Sequence, residues 1–528
     1  MLHLSQEEAY AYVFAAAAVS EARGLPLADR LRIIDSFPNP TRVADEDPLP
    51  APASAAETCG VRLSESFLRQ VRRNAGLYRE KAKRWLDGGL RVLKNRDSGE
   101  RDGPRIFFVF GSEPKKDARR VAVLNSRKPG RITPDERWPK VTGHLAGKAC
   151  EEGFDLVTSY GNVPYDLVSH VGNKLGAHVW VVCPDGSPFR LSEGSRLGSE
   201  FPGRAELFHS GRTTFVSPLP PCSRRLHREA AALRDRCVGN LAHEIWVAEI
   251  RGGGNMEAVG RRALERGKPV RVYAPGRFGA STGGNRNLLE TACGGNVGRI
   301  DTHSHPGLVP KGEGQGWKAN VNSTGTTCAG LTAKTPASRL DEPILVHYTR
   351  RCNGAWPGQT HRDYLEGVLG GAEDFEHTAF QALRRILREG RIRAGHRLIR
   401  GALDTVSFTE CEPDEIRRLI RWQSALVRWS FEPYGIVFPK ALLEEMGAVP
   451  VLYGDAQTYE ALDEVQKFRF QHLDPNRTDW SQEKEWRCRG DLMLSAVPGD
   501  RLRVIAPSDE EAAEIWREYG VERWAEEK

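Results

Sequence analysis

At 528 residues the chain is too long for one hydrophobic core, so two or three domains are expected. Charged residues make up 28% and mean hydropathy is -0.50. No apolar run approaches the ~18–20 residues of a membrane-spanning helix, and a net charge of +6 does not by itself argue for a nucleic-acid partner. The ten cysteines show no CxxC pair and no metal-finger spacing, which reads as small buried hydrophobes in a reducing compartment. The apolar stretch 13–19 is flanked by Glu7, Glu8 and Glu21 rather than by the basic residues of a secretion signal. A buried helix and a cytoplasmic protein are the expectations.

Residues 1–98 are expected to be mainly helical. Apolar periodicity predicts helix over 1–45, and Pro48, Pro50 and Pro52 predict an exposed, semi-rigid linker over 48–56. A second helical segment, about 63–95, carries most of eleven basic residues between Arg62 and Arg96, opposed only by Glu65, Glu80 and Asp87. Such a face suits a phosphate backbone, or is simply solvated. Residues 99–293 change to an α/β rhythm. Strands are predicted at 105–110, 120–124, 155–158, 177–183, 244–249 and 269–273, with helices at 138–152, 165–175, 225–242 and 255–267 and loop over 186–224. That alternation implies an open, mostly parallel, Rossmann-like sheet. The Gly/Ser/Thr-rich stretch 294–340 reads as a linker. The segment 341–528 reads as an α+β domain, with strands at 344–348, 405–409, 435–438, 449–453, 485–489 and 502–506. Its helices are predicted at 380–389 (ended by Gly390), 413–427 and 440–446.

The most informative stretch runs from Arg234-Asp235-Arg236 through an apolar strand ending on Glu249 to Gly252-Gly253-Gly254-Asn255, a helix and another strand. A strand, glycine turn, helix and strand expose backbone N–H groups to a phosphate. Residues 105–293 resemble the DNA-processing protein A (DprA) family, within the wider group of nucleotide-binding SLOG domains. The likeness lies in Val121-Ala122-Val123-Leu124-Asn125-Ser126-Arg127, in Ser159-Tyr160-Gly161-Asn162-Val163-Pro164-Tyr165-Asp166 and in the Arg234–Glu249 stretch. It continues in Gly253-Gly254-Asn255, Pro275-Gly276 and, slipped by one residue, Gly283-Gly284-Asn285-Arg286-Asn287-Leu288-Leu289. The resemblance implies single-stranded DNA or a nucleotide ligand at the strand C-termini. Arg127 and Lys174 would contact phosphate, and Ser159, Gly161, Asp166, Arg234, Arg236, Gly253, Gly254 and Asn255 would complete the site. Asn125, Tyr160 and Pro164 stand where the family has glycines, so the ligand can differ from the family's, and a nucleotide or nucleotide-derived signal at 252–255 and 159–166 is a further candidate.

Three elements of the C-terminal segment carry a second likeness. His347-Tyr348-Thr349 ends one strand, Ser407-Phe408-Thr409 lies on another, and Glu483-Lys484-Glu485-Trp486-Arg487 follows Trp480. Their order resembles the ADP-ribosyltransferase fold. That likeness implies NAD as substrate, with His347, Tyr348, Thr349, Ser407 and Thr409 holding it, Glu485 as the carboxylate on the ribose and Glu483 orienting or deprotonating the acceptor. Several abortive-infection proteins have similar Trp…Glu-x-Glu-Trp-Arg endings. Asp301-Thr302-His303-Ser304-His305 has metal-ligand spacing, but no other His or Asp cluster answers it, and no metal is expected.

The combined expectation is a bacterial, anti-phage effector. One domain binds single-stranded DNA or a nucleotide signal, and another is an NAD-dependent ADP-ribosyltransferase or NAD glycohydrolase acting on nucleic acid or protein. The competing expectation is a non-enzymatic single-stranded DNA-binding protein of the recombination-mediator type. Neither involves a membrane, and a homo-oligomer is possible under both.

Overall fold

The structure is a computed structural model that describes residues 2–21, 25–37, 50–94, 104–113, 115, 117–126, 132, 136–184, 205–208, 211–221, 229–291, 297–300, 336–352, 354–370, 377–396, 399–423, 428–473 and 480–525. The chain divides into two compact units. Unit 1 holds 1–129, 134–313 and 360–371, and unit 2 holds 130–133, 314–359 and 372–528.

Unit 1 begins with β1 (Leu2–His3), then α1 (Gln6–Glu21), α2 (Leu27–Asp35), α3 (Pro50–Thr58), α4 (Glu65–Arg73) and α5 (Ala75–Asp87). The sheet continues with β2 (Arg91–Lys94), β3 (Ile106–Gly111), β4 (Arg120–Leu124), β5 (Asp155–Thr158), β6 (Val179–Val182), β7 (Thr213–Ser217), β8 (Glu244–Val247), β9 (Val270–Tyr273) and β10 (Val297–Ile300). The strand order is β1-β2-β3-β7-β6-β5-β4-β8-β9-β10. The seven strands from β7 to β10 in that order are mutually parallel, while β1, β2 and β3 form an antiparallel margin. Crossover helices are α6 (Trp138–Glu151), α7 (Val163–Lys174), α8 (Glu229–Leu241), α9 (Asn255–Glu265) and α10 (Gly283–Thr291). Runs such as Val179-Trp180-Val181-Val182 are buried along their whole length, as parallel strands covered on both faces must be. The order reverses between β4 and β8, which makes the strand C-termini there the topological switch point of the sheet.

Several expectations change here. The Ala/Pro stretch is helix α3, with Ala55 and Ala56 in the core. Its proline at the first helical position needs no N–H, Pro52 lies within the first turn, and alanine is the strongest helix former. The basic segment is two helices that meet at Asn74, followed by strand β2. Helices α1–α5 and the sheet share one core. Arg62, Arg72, Arg73 and Lys83 remain exposed. Strand β7, inside the segment expected to be loop, sits centrally between β3 and β6, and β10 occupies part of the expected linker.

One helix of unit 1 comes from far along the sequence: α11 (His361–Gly370), which sequence periodicity did not reveal, packs on α6 and α7. Leu369 lies where a Cβ on Gly143 would come within 2.6 Å of it, so α6 and α11 meet through a glycine. Glu366 bonds the Lys174 amine at 2.8 and 2.9 Å and lies 3.1 Å from His170 Nε2.

Unit 2 is a second sheet of eight strands, in the order β11 (Ala337–Ser338), β24 (Glu522–Trp524), β23 (Arg503–Ile505), β17 (Gly435–Pro439), β12 (Ile344–Tyr348), β14 (Thr405–Thr409), β21 (Glu485–Arg489) and β18 (Val449–Pro450). From β23 to β18 every neighbour is antiparallel. The helices include α12 (Ala379–Glu389), which ends at Gly390 with φ 62° as the sequence predicts, α13 (Pro413–Leu419), α14 (Lys440–Glu445) and α15 (Asp509–Tyr519). The helix expected over 413–427 stops at Leu419. The chain then forms a hairpin, β15 (Trp422–Gln423) and β16 (Arg428–Trp429). The strand expected over 449–453 is two short ones in different sheets, β18 and β19 (Leu452–Gly454), the latter paired with β20 (Phe470–His472).

Candidate functional site

In unit 2 the three quoted elements are neighbouring strands. Register places Ser407 opposite Arg487 and Thr409 opposite Glu485, so these four side chains share one face. Phe408 and Trp486 lie on the other face, in the core. The β12–β14 ladder has one registered pair, Val346 with Thr409. Where it ends, the His347 ring takes over: Nδ1 lies 2.9 Å from the Ser407 carbonyl oxygen. Because a carbonyl only accepts, Nδ1 carries the proton and Nε2 keeps its lone pair. Burial, reinforced by the Arg350 charge, outweighs that hydrogen bond and lowers the His347 pKa to about 4, so the ring is neutral at pH 7.

His347, Ser407, Glu483 and Glu485 line one cavity of about 330 Å³, together with Tyr348 and Thr409. Ser407 Oγ donates to Glu485 Oε1 at 2.8 Å. Arg487, 2% exposed, grips the same carboxylate through Nε at 2.9 Å and Nη2 at 3.0 Å. Its remaining hydrogens go to the Phe468 and Phe470 carbonyls and to Gln471 Oε1. Glu485 is thus fixed from two sides. Glu483 ends a single 3₁₀ turn, and Lys484 follows in the left-handed region at φ 42°. That kink, unusual for a non-glycine residue, sets both carboxylates on the cavity and bends the chain between them.

Thr349 does not join them. It is buried, and its hydroxyl donates to the Ala379 carbonyl at the start of α12. Thr409 lines the cavity, but its hydroxyl donates to the Glu483 carbonyl at 2.5 Å, which holds the carboxylate-bearing turn. Sequence reasoning missed Arg350, Arg487, Gln423, Phe431 and Gln471, all in the lining. Arg350 is three residues beyond the histidine and Arg487 two beyond the glutamate, so both were within reach of the same motifs. Arg350 donates through Nε to the Ser430 carbonyl, and burial draws its pKa down despite Glu483, Glu485 and Glu432. Two buried polar atoms at the cavity, Tyr348 Oη and Gln423 Oε1, have no hydrogen-bond partner among the described residues. Buried orphans of this kind call for a ligand or water.

The strand C-termini of unit 1 are built differently. Ser159 Oγ donates to the Val182 carbonyl and joins β5 to β6. Gly161, at φ 89°, makes the turn into α7, and its N–H donates to Asp166 Oδ1 at 3.3 Å. Asp166 is fully buried, and its other oxygen lies 3.0 Å from His361 Nε2 on α11. The glycine turn before α9 already holds an anion of its own, because Gly253 N–H donates to Glu257 Oε2 at 2.7 Å. Burial works against the Glu257 charge, yet Gly253, Arg261 and Asn287 outweigh it and its pKa falls. A carboxylate therefore takes the Gly253 amide, one of those offered to a phosphate by Gly253, Gly254 and Asn255. Asn285 is a buried staple between strand ends: it donates to the Ala248 and Tyr273 carbonyls and accepts from Ile250 N–H.

The remaining expected ligands are dispersed. Arg234 is spent on Asp235 at 3.0 Å and on the Tyr165 ring, whose hydroxyl also bonds Asp235. Arg236, mid-way along α8, borders a small cleft with Arg262 of α9 and Arg266 at the end of that helix. Lys174 ends α7, the far end of the helix from Gly161, and is paired with Glu366. Arg127 and Asp301–His305 lie outside the described residues. Among the described residues no group of three or more His, Cys, Asp and Glu could hold a metal, and no helix is long and apolar enough to cross a membrane.

No family model matches the chain, and no curated protein matches it. Solved structures do. The chain is similar to DNA processing protein A from Streptococcus pneumoniae at 14% identity and a TM-score of 0.33, covering 57% of this chain and 95% of that one. DNA processing protein A from Helicobacter pylori, described by its single-stranded DNA binding mode, matches at 17% identity and a TM-score of 0.31, with coverages of 40% and 90%. The molybdenum cofactor carrier protein from Chlamydomonas reinhardtii matches at 11% and 0.24, over 35% and 90%. The description of unit 1 as a mostly parallel α/β sheet stands on its strand order.

Proposed function

We propose that unit 2 cleaves NAD and transfers ADP-ribose to a nucleic-acid or protein acceptor, and that unit 1 binds the single-stranded DNA or nucleotide signal that governs it. The observation that carries the enzymatic half is the meeting of Ser407, Glu485 and His347 around one cavity. In the reaction the bond between ribose C1′ and the nicotinamide nitrogen breaks, and its electron pair leaves with nicotinamide. Glu485, held still by Arg487 and Ser407, faces the electron-poor ribose and accepts from its 2′-hydroxyl. His347 offers its Nε2 lone pair to a second hydroxyl. Arg350 is the cation for the diphosphate, and Tyr348 supplies an aromatic wall. The incoming acceptor bonds to C1′ and gives up its proton towards Glu483.

The DNA half rests on the order of sequence motifs in unit 1 and on the switch point of its sheet, with Glu257 already bonded to the Gly253 amide. A bacterial anti-phage setting follows from the abortive-infection endings and is tested by plating phage on cells carrying the gene. The direct experiment incubates the full chain with NAD, with and without a single-stranded oligonucleotide, and measures released nicotinamide. Glu485→Gln should lower the rate a hundredfold or more. Equal rates for wild type and variant, or no release under either condition, would refute the enzymatic reading.

A further inference from the structure

We propose that α11 is a strap through which the ligand of unit 1 controls the cavity of unit 2. Docked, it holds the junction of β12 and α12 against entry of the dinucleotide, and the ligand frees it. The proposal rests on the reading of the two units given above and names the regulation that joins them. Residues 360–371 belong to unit 1, whereas the chain on either side of them belongs to unit 2. Helix α11 is thus carried on an excursion that leaves unit 2 after Cys352 and returns at His377.

Both ends of the excursion are tied at one point. Cys352 N–H donates to the His377 carbonyl at 2.9 Å, and the Thr349 hydroxyl donates to the Ala379 carbonyl at 2.8 Å. The rings of Trp356 and His377 lie 4.0 Å apart. His377 has φ 47°, a conformation that a residue other than glycine keeps only under constraint. Arg350 stands two residues before Cys352 and Tyr348 four, and both line the cavity. Tension on the excursion therefore reaches the cavity through a few peptide bonds. At about 330 Å³ the cavity is near the lower end of the roughly 300–1,000 Å³ of small-molecule pockets, so a ligand as large as a dinucleotide needs this junction to yield.

The other end of the strap is held by polar as well as apolar contacts. Leu365 and Leu369 are buried, Glu366 bonds Lys174, and Glu206 accepts from the Arg362 N–H at 2.8 Å. Control falls to the buried pair of His361 and Asp166, 3.0 Å apart. Asp166 belongs to the 159–166 motif to which the reading of unit 1 assigns a ligand. Its other oxygen accepts from Gly161 N–H at 3.3 Å, longer than the roughly 2.7–3.2 Å of a full-strength bond. A phosphate arriving at this turn competes with Asp166 for the amide and repels its carboxylate. Ligand binding and the bond from Asp166 to His361 therefore oppose each other, and that opposition is the coupling.

The test uses the full chain. Amide exchange over 360–371 is read with a mixed-sequence single-stranded oligonucleotide and, separately, with adenosine triphosphate. The probe that binds should accelerate it about tenfold, a usual size for coupling between sites. Unchanged exchange at saturation, or no binding of either probe, would overturn the proposal. Gly143→Cys/Leu369→Cys, at the close approach of α6 and α11, pins the strap when oxidised. The oxidised protein should bind the probe yet release nicotinamide within about twofold of its rate without probe, and reduction should restore the response. A response that survives oxidation counts against the strap. His361→Ala/Glu366→Ala frees α11 without any ligand, so exchange at 349–352 and 377–379 should rise, as should nicotinamide release without probe, by about tenfold. Exchange there that stays at the wild-type rate would overturn the proposal even if NAD is cleaved. Faster exchange with no nicotinamide released under any condition would instead refute the enzymatic reading and leave the strap standing.

Discussion

The protonation state of His347 offers the sharpest test of the unit 2 cavity. Its folded pKa is about 4 against an ordinary value of 6.5, because burial and Arg350 disfavour the cation more than the Ser407 carbonyl favours it. For a base with a depressed folded pKa, the unfolded chain takes up the proton first. The stabilising effect of the neutral ring is complete above pH 6.5 and is lost as pH falls from 6.5 to 4. The full span corresponds to at most about 3 kcal/mol, and the interval from pH 7 to pH 5 to about 2 kcal/mol. The ring borders the cavity, so screening there can only reduce these values.

Histidine Cε1 labelling and a pH titration by NMR measure this directly, with His347→Gln identifying the resonance. The signal should stay flat from pH 8 to 5 and move only near 4. Denaturation at pH 7 and pH 5 should show a loss in wild type that His347→Gln lacks. Nicotinamide release should likewise show no step near pH 6.5 from this ring. A His347 inflection near 6.5 would mean that the ring is solvated or charged. The assignment of Nε2 as an acceptor would then fall.

Other outcomes follow from single contacts. Arg487→Lys keeps the charge but loses the two-pronged grip on Glu485, so kcat should fall about tenfold with little change in KM, whereas a purely structural role would lower Tm and leave the kinetics of the folded fraction intact. Glu257→Gln removes the carboxylate that occupies the Gly253 amide, so binding of inorganic phosphate or a nucleotide to unit 1 should strengthen several-fold by calorimetry; no gain would mean that the turn is not an anion site. His361→Ala takes a partner from the buried Asp166, at a cost of about 2–4 kcal/mol. Amide exchange in 360–371 should then accelerate, and unchanged protection would show that Leu369 and Glu366 alone hold α11.

What the sequence made legible follows its physics. Strands such as 120–124, 405–409 and 485–489 are recovered to the residue, because continuous or alternating apolar patterns determine a strand locally. Strand β7 was hidden among glycines and serines, and its threonines are buried only because β3 and β6 flank it. The Pro50–Thr58 helix was hidden because proline reads as a breaker unless its place in the first turn is known. Helix α11 escaped because its apolar face is completed by α6 and α7, more than 180 residues away in sequence.

The two candidate sites contrast for a related reason. In unit 2 the motif residues sit on paired strands, so register alone puts Ser407 and Thr409 on the same face as Arg487 and Glu485. Sequence order was enough to suggest the cluster, and only its support, Arg487 and Arg350, needed coordinates. In unit 1 many of the motif residues sit in turns and in the first turns of the helices that follow, where side chains settle backbone hydrogen bonds before any ligand arrives. Asn285, Asp166 and Glu257 each answer N–H or C=O groups of the fold. The same Gly-rich and Asn-bearing patterns that suggest a phosphate site also describe a turn that satisfies itself. Which of the two a chain contains depends on whether a carboxylate such as Glu257 stands one helical turn further on, close enough to reach the exposed amide.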